Sequence, residues 1–189
     1  MSSLNQRLLS IDSLATGGNG VGRIDGKVCF VPYSAPGDYL RVTISRQHRS
    51  YDEAVITEVL TPSPQRVIPC CPYFGDCGGC DWLHVDIASQ HEAKRQIVAS
   101  AIQKQFGREY LAQPLPTIAS PVLMGYRARA QFKLHKTSSG LACGFYRRAS
   151  RHVVDLQEGC SVVSSAIREA ILRLQRVLAK ASDAYHVTQ

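Results

Sequence analysis

The residues of this chain with the densest chemistry are Cys71-Pro72-Tyr73-Phe74-Gly75-Asp76-Cys77-Gly78-Gly79-Cys80. Three thiols stand at C-x5-C-x2-C, with two glycines between the last pair. Thiolates two residues apart reach one metal centre through a tight turn, and glycine leaves that turn free to adopt positive φ and to aim amide N–H groups at sulfur. Three thiolates call for a fourth ligand. Cys29 and Cys143 lie in apolar strand patterns and read as small core residues. Cys70 adjoins Cys71 and would distort the chelate turn. Cys160 follows Gly159 at a strand-to-helix turn and is the chosen fourth ligand. Four thiolates suit zinc or an iron–sulfur cluster. One C-x2-C pair, a five-residue spacer and a lone distal cysteine favour the cluster and leave zinc open.

A second set of side chains is defined by charge. The chain has 189 residues and a formal net charge of +7. Between Tyr110 and Val154 there is no Asp or Glu, whereas Arg127, Arg129, Lys133, Lys136, Arg147, Arg148 and Arg151 lie there. Outside that block basic and acidic residues balance, so the excess charge is local. A localised cationic face is the electrostatic footprint of a polyanion binder. Across Tyr126–His135 the types alternate, with Tyr126, Ala128, Ala130, Phe132 and Leu134 on one predicted face and Arg127, Arg129, Gln131, Lys133 and His135 on the other. Thr137-Ser138-Ser139-Gly140 turns the chain back into Leu141–Tyr146. The resulting hairpin has an apolar underside and a cationic top, and the guanidinium fork suits phosphate.

The elements that must carry these groups fall into predicted domains at 1–61, 62–83 and 84–189. In the first, five short strands with turns at Thr16–Gly20, Asp25-Gly26 and Pro36–Asp38 predict a small β-barrel of the oligonucleotide-binding kind. Gly18-Asn19-Gly20-Val21-Gly22 is read as a turn, because a phosphate-cradling loop follows a strand and opens a helix. Residues 62–83 are linker and cysteine loop. The third is a mixed α+β domain with antiparallel strands and two helices. One helix runs from an Asp86 N-cap to about Phe106 with Gly107 as its stop, and Ile97, Val98, Ala101, Ile102 and Phe106 form its stripe. The other starts at Ser164, with Ile167, Ala170, Ile171, Leu174, Val177 and Leu178 read as core. His84 and His91 are taken as surface or capping residues. No apolar run is long enough for a membrane span and no signal-peptide core is visible, so a cytoplasmic, non-membrane, monomeric protein with reduced cysteines is expected.

The decapeptide at 71–80 resembles the cluster motif of the iron–sulfur RNA uracil-5-methyltransferases, especially the bacterial 23S ribosomal RNA enzymes. Residues 11–60 look like their N-terminal TRAM domain. Gly125–Phe132 resembles their Tyr-Arg-x-Arg/Lys-Ala strand, and Gly144–Asp155 followed by Cys160 resembles the segment supplying the fourth ligand. One departure is that Leu83 stands where the family has Gln before the residue matching His84. The resemblance implies a [4Fe–4S] cluster on Cys71, Cys77, Cys80 and Cys160, RNA (above all 23S ribosomal RNA) as partner, and S-adenosylmethionine as methyl donor. In that family a C-terminal doubly wound domain holds the methyl donor, the nucleophilic cysteine and the base, and those motifs have no counterpart here. The chain is therefore expected to be the RNA-recognition and cluster-binding part of such an enzyme, inactive by itself, with no catalytic role for Cys29 or Cys143. The alternatives are a free-standing RNA-binding iron–sulfur or zinc protein, and transfer RNA as substrate.

Overall fold

A computed structural model describes residues 6–107, 110, 116–137 and 140–182. The expected turn residues Ser138 and Ser139, part of the connection at 113–121 and the last residues, 183–189, lie outside the described residues. Among those described, no helix is long and apolar enough to cross a membrane.

Strands β1 (Gln6–Leu14), β2 (Asn19–Ile24), β3 (Lys27–Pro32), β4 (Tyr39–Gln47) and β5 (Tyr51–Thr61) close a barrel in the order β1-β2-β3-β5-β4. All neighbours run antiparallel except β3 and β5, which pair in parallel from Val28↔Tyr51 to Phe30↔Glu53. The period of two places Leu9, Ile11, Ile24, Cys29, Val31, Leu40, Val42 and Ala54 inside. The β2–β3 hairpin turns on Asp25 (φ 51°) and Gly26 (φ 80°), the paired positive φ values that match the twist of the flanking strands. The glycine-rich stretch at 17–22 leads into β2, not into a helix.

The chain leaving the barrel is fastened back to it. Asp38 is fully buried and accepts from the amides of Ala35 (2.6 Å) and Ser63 (2.9 Å) and from both Nε and Nη2 of Arg66 (2.8 Å each). Every lone-pair direction of the carboxylate is thereby used, which is what a buried charge requires. Val67 N–H donates to the His84 carbonyl (2.9 Å) and Asp86 N–H to that of Gln65 (2.9 Å). Trp82, Val85 and Ala93 then pack with Leu14 and Ala35.

Helix α1 (Ile87–Phe106) has the expected ends. Asp86 caps it by accepting from Ser89 N (2.9 Å), and Gly107 (φ 95°) stops it. Its expected apolar stripe is not a buried one: Ala93 is the buried residue, and Phe106 is 60% exposed. His84, expected at the surface, is buried, with Nε2 3.1 Å from the Ser34 carbonyl; desolvation lowers its pKa.

The compact units cut the chain differently from the predicted boundaries. One runs to Ile68 and resumes at Asp81 as far as Ala119, taking α1 with the barrel; the other combines Pro69–Cys80 with the chain from Ser120 onward. The physical reason is the Trp82–Ala93 packing and the 65–67 to 84–86 hydrogen bonds, which return the chain to the barrel after the cysteine loop.

In the second unit, β6 (Lys133–Thr137), β7 (Gly140–Tyr146) and β8 (Val153–Asp155) form an antiparallel sheet in that order, followed by α2 (Ser165–Ser182). The strand expected from Tyr126 starts only at Lys133. Upstream, Gly125 and Arg127 donate to the carbonyls of Ser161 (3.1 Å) and Val162 (2.9 Å), and Ser164 N–H donates to the Arg127 carbonyl (3.0 Å). Segment 125–127 is thus tied to the stretch after Cys160 and does not extend the hairpin. Of the expected apolar underside, Ala130 and Phe132 pack into the core, whereas Tyr126 and Leu134 are exposed. On α2, Ile167 joins the core, but Leu174 and Val177 (63%) are exposed.

Candidate functional site

The cysteine loop is built by its own turns. Phe74 N–H donates to the Cys71 carbonyl (3.2 Å), and the amides of Asp76 (3.3 Å) and Cys77 (2.8 Å) both donate to that of Tyr73. Gly75 (φ 94°) supplies the left-handed step that lets the chain double back. The amide of Gly79 points at Cys77 Sγ (3.4 Å), a donor-to-sulfur arrangement typical of thiolate sites. Tyr73 Oη accepts from Glu158 N (2.9 Å), tying the loop to the residues just before Cys160.

These links bring together cysteines eighty residues apart in sequence. Cys160 is buried with Val154, Leu156, Val162 and Val163, and Cys77, Cys80 and Tyr73 pack against that cluster. Burial raises the thiol pKa of Cys77; the Gly79 amide opposes this, and Cys160 and Cys71 add to it. Cys80 is pushed up to about 11, first by burial and then by Cys160, Cys77 and Cys71. Cys77 and Cys80 therefore each lie within electrostatic reach of Cys71 and of Cys160. Among the described residues no three His, Cys, Asp or Glu side chains are close enough to grip a single metal ion. Cys77, Cys80 and Cys160 at one apolar core, with an amide aimed at the sulfur of Cys77, have the donor chemistry that a thiolate-held metal group requires. Cys70 is exposed, with Sγ 3.9 Å from Met124 Sδ, and stands apart from this set. Cys29 and Cys143 are buried as expected, both with raised pKa from desolvation.

The seven expected RNA contacts separate into groups. Arg129, His135 and Arg151 are exposed. Lys133 is half-buried, its ammonium 5.7 Å from the centre of the Tyr146 ring. Arg127 is half-buried, and its charge favours the thiolate of Cys80, placing it beside the cysteines. Arg147 spends its Nε on Asp76 of the cysteine loop (2.6 Å), and Arg148 is half-buried next to it. Sequence reasoning passed over Tyr146, which is 42% exposed. The β6–β7 register pairs Lys133 with Gly144 and His135 with Ala142, so Lys133, His135 and Tyr146 share one face. Counting strand parity back from the turn would have found it. An exposed aromatic ring with an ammonium over it is the kind of surface on which a nucleobase can stack.

The barrel defines the first class to which the chain can be related: residues 7–57 match the family model of the TRAM domain. The relatives are more particular. The chain is 37% identical over 170 residues to an uncharacterized RNA methyltransferase of Thermosynechococcus vestitus, covering 90% of this chain and 37% of the relative. It is 36% identical over 172 residues to the 23S rRNA (uracil(1939)-C(5))-methyltransferase RlmD of Chromohalobacter salexigens, covering 90% of this chain and 35% of that protein. Among solved structures, the Pyrococcus abyssi tRNA (uracil-54, C5)-methyltransferase in complex with S-adenosyl-L-homocysteine superposes with a TM-score of 0.58 at 27% identity, covering 92% of this chain and 37% of that one. The chain thus spans a little over a third of the length of the proteins it resembles.

Proposed function

We propose that this chain is the RNA-recognition and [4Fe–4S]-binding portion of an S-adenosylmethionine-dependent RNA uracil-C5 methyltransferase acting in the cytoplasm on 23S ribosomal RNA. The observation that carries the reading is the packing of Cys77, Cys80 and Cys160 around one core, with Cys71 within electrostatic reach of Cys77 and Cys80, and the Gly78 N–H to Tyr146 carbonyl bond that joins this loop to the hairpin bearing Lys133, His135 and Tyr146. The four thiolates would hold the cluster, with the Gly79 amide and the Arg127 charge offsetting their negative charge. The cluster, when bound, neutralises and cross-links these thiolates; uracil methylation itself needs no electron. Arg129, Lys133, His135, Arg148 and Arg151 face RNA phosphate, with Arg127 and Arg147 at the inner edge, and Tyr146 stacks on a base.

No residue of this chain is given a catalytic role. Cys29 and Cys143 are enclosed in cores, and desolvation keeps both thiols protonated, the opposite of what a nucleophile needs. S-adenosylmethionine belongs to the part of such enzymes that lies beyond the span matched here. Anaerobic purification tests the reading: the protein should be brown and hold roughly four irons per chain, as expected for a cluster held by four cysteines. Colourless protein with one zinc would sink the cluster. Residues 1–189 should bind RNA and transfer no methyl group. The likeness to a tRNA enzyme makes transfer RNA the second substrate to test, by competition of tRNA against a 23S fragment for the same protein.

A further inference from the structure

The cysteine loop and the cationic turn between β7 and β8 are joined along one backbone seam. Gly78 N–H donates to the Tyr146 carbonyl (2.9 Å), Cys77 forms an antiparallel bridge with Arg147, and Arg147 Nε reaches Asp76 Oδ1 (2.6 Å). Within the turn, Arg147 N–H donates to the His152 carbonyl (2.8 Å) and Ser150 N–H to that of Arg147 (3.1 Å). Ala149 sits at φ 51°, a left-handed conformation that a residue with a Cβ rarely adopts. The strand that follows, β8, has three residues.

At Gly78 the seam leaves no room for a side chain. A Cβ there would lie 2.9 Å from both the Arg148 amide nitrogen and the Tyr146 carbonyl oxygen, and 3.1 Å from Arg148 Cα. These are backbone atoms, so the turn itself would have to move. At Gly79 a Cβ would meet only Cys77 Sγ at 3.4 Å and Phe145 Cδ2 at 3.7 Å, which are ordinary contacts. The two adjacent glycines are therefore unequal, and the one that matters abuts the turn bearing Arg147, Arg148 and Arg151.

We infer that the cysteine loop is the brace that presents this turn to RNA phosphate, with Gly78 as its positioning residue. RNA affinity then depends on a position that has no charge and touches no RNA. The inference rests on the RNA-binding reading above, and the experiment separates the two. A labelled single-stranded RNA oligonucleotide is titrated against the wild type, Gly78→Ala, Cys70→Ser and the double variant Arg129→Ala/Arg151→Ala over a range of salt, with iron content recorded for each.

Gly78→Ala should weaken binding roughly tenfold and flatten the salt dependence by about 1–2 in slope, as lost phosphate contacts on single strands do. Its iron content should match wild type, and Cys70→Ser, at the exposed thiol outside the ligand set, should bind as wild type does. A folded Gly78→Ala with wild-type affinity and slope overturns the brace, while a weakened arginine pair in the same experiment leaves the RNA face standing. If the arginine pair also binds unchanged, both fall. Should Gly78→Ala fail to fold, hydrogen exchange on the wild type decides. RNA should slow exchange at the Gly78 amide together with that of Arg147; protection of Arg147 with Gly78 unaffected overturns the inference.

Discussion

Cys160 and Cys70 make a matched pair at the scale of single residues. Cys160 is buried against Cys77 and Cys80, whereas Cys70 is exposed beside Met124. Replacing Cys160 with Ser should abolish iron retention, because a hydroxyl is a poor soft-metal ligand, and Cys70→Ser should retain it; iron and sulfide assays on anaerobic protein distinguish them. The arginines divide in the same way. Arg129 is exposed, so Arg129→Ala should weaken RNA binding and lower the salt slope by about 0.7, the value for one phosphate on a single strand. Arg127 acts on Cys80, so Arg127→Ala should make the iron easier to strip with a chelator and change the salt slope less. The sequence placed both on one cationic strand face. Backbone bonds from Arg127 to residues 162–164 undo that alternation, and a contact so distant in sequence leaves no periodic trace.

At the scale of elements, the barrel offers two tests of what holds it closed. Asp38 has four donors in a fully buried site, so Asp38→Ala strands the Arg66 guanidinium and should destabilise the protein by about 3–5 kcal/mol in a urea melt. Cys29 supplies a pH dependence. Burial, followed by the Asp52 charge, holds its thiol up at about 11 against an ordinary 9.0, with Lys27 opposing. The folded state thus keeps a proton that the unfolded chain gives up earlier. That contribution is whole below pH 9 and is lost as pH climbs through 11. Thermal melts from pH 8 to 11 should show a steeper alkaline loss for wild type than for Cys29→Ala. Strand elements such as β2–β3 were legible because alternation and the Asp25-Gly26 turn specify them locally. The helices were half legible. Caps at Asp86 and Gly107 are local chemistry and were read correctly, but an apolar stripe reports only a capacity for burial. On α1 and α2 much of that stripe faces outward among the described residues.

For the molecule as a whole, the domain grouping was the least legible feature. Linear reading divides a chain at linkers, and Pro62–Pro69 looked like one. Yet Arg66 is clamped to Asp38, and Gln65 and Val67 bond to residues on the far side of the cysteine loop. Nothing in the local composition at 81–93 announces that Trp82, Val85 and Ala93 complete a core begun by Leu14 and Ala35. The expected ligand set comes from the spacing of the loop cysteines and the turn position of Cys160; the structure adds that Cys77 and Cys80 pack against the core that buries Cys160, a proximity that spacing alone does not specify.

The return of the chain at Asp81 bears on how such a protein can be taken apart. The barrel unit is interrupted by the twelve residues Pro69–Cys80, which belong to the other unit. A cassette cut after Ile68 would therefore be a torn piece: it keeps the strands but leaves Leu14 and Ala35 uncovered and Arg66 without the Val85 bridge. To transplant this barrel onto another enzyme, the graft must carry residues through the end of α1 at Gly107 and replace the excursion at 69–80 with a short splice. The two stretches are a single compact unit read from the chain in two instalments.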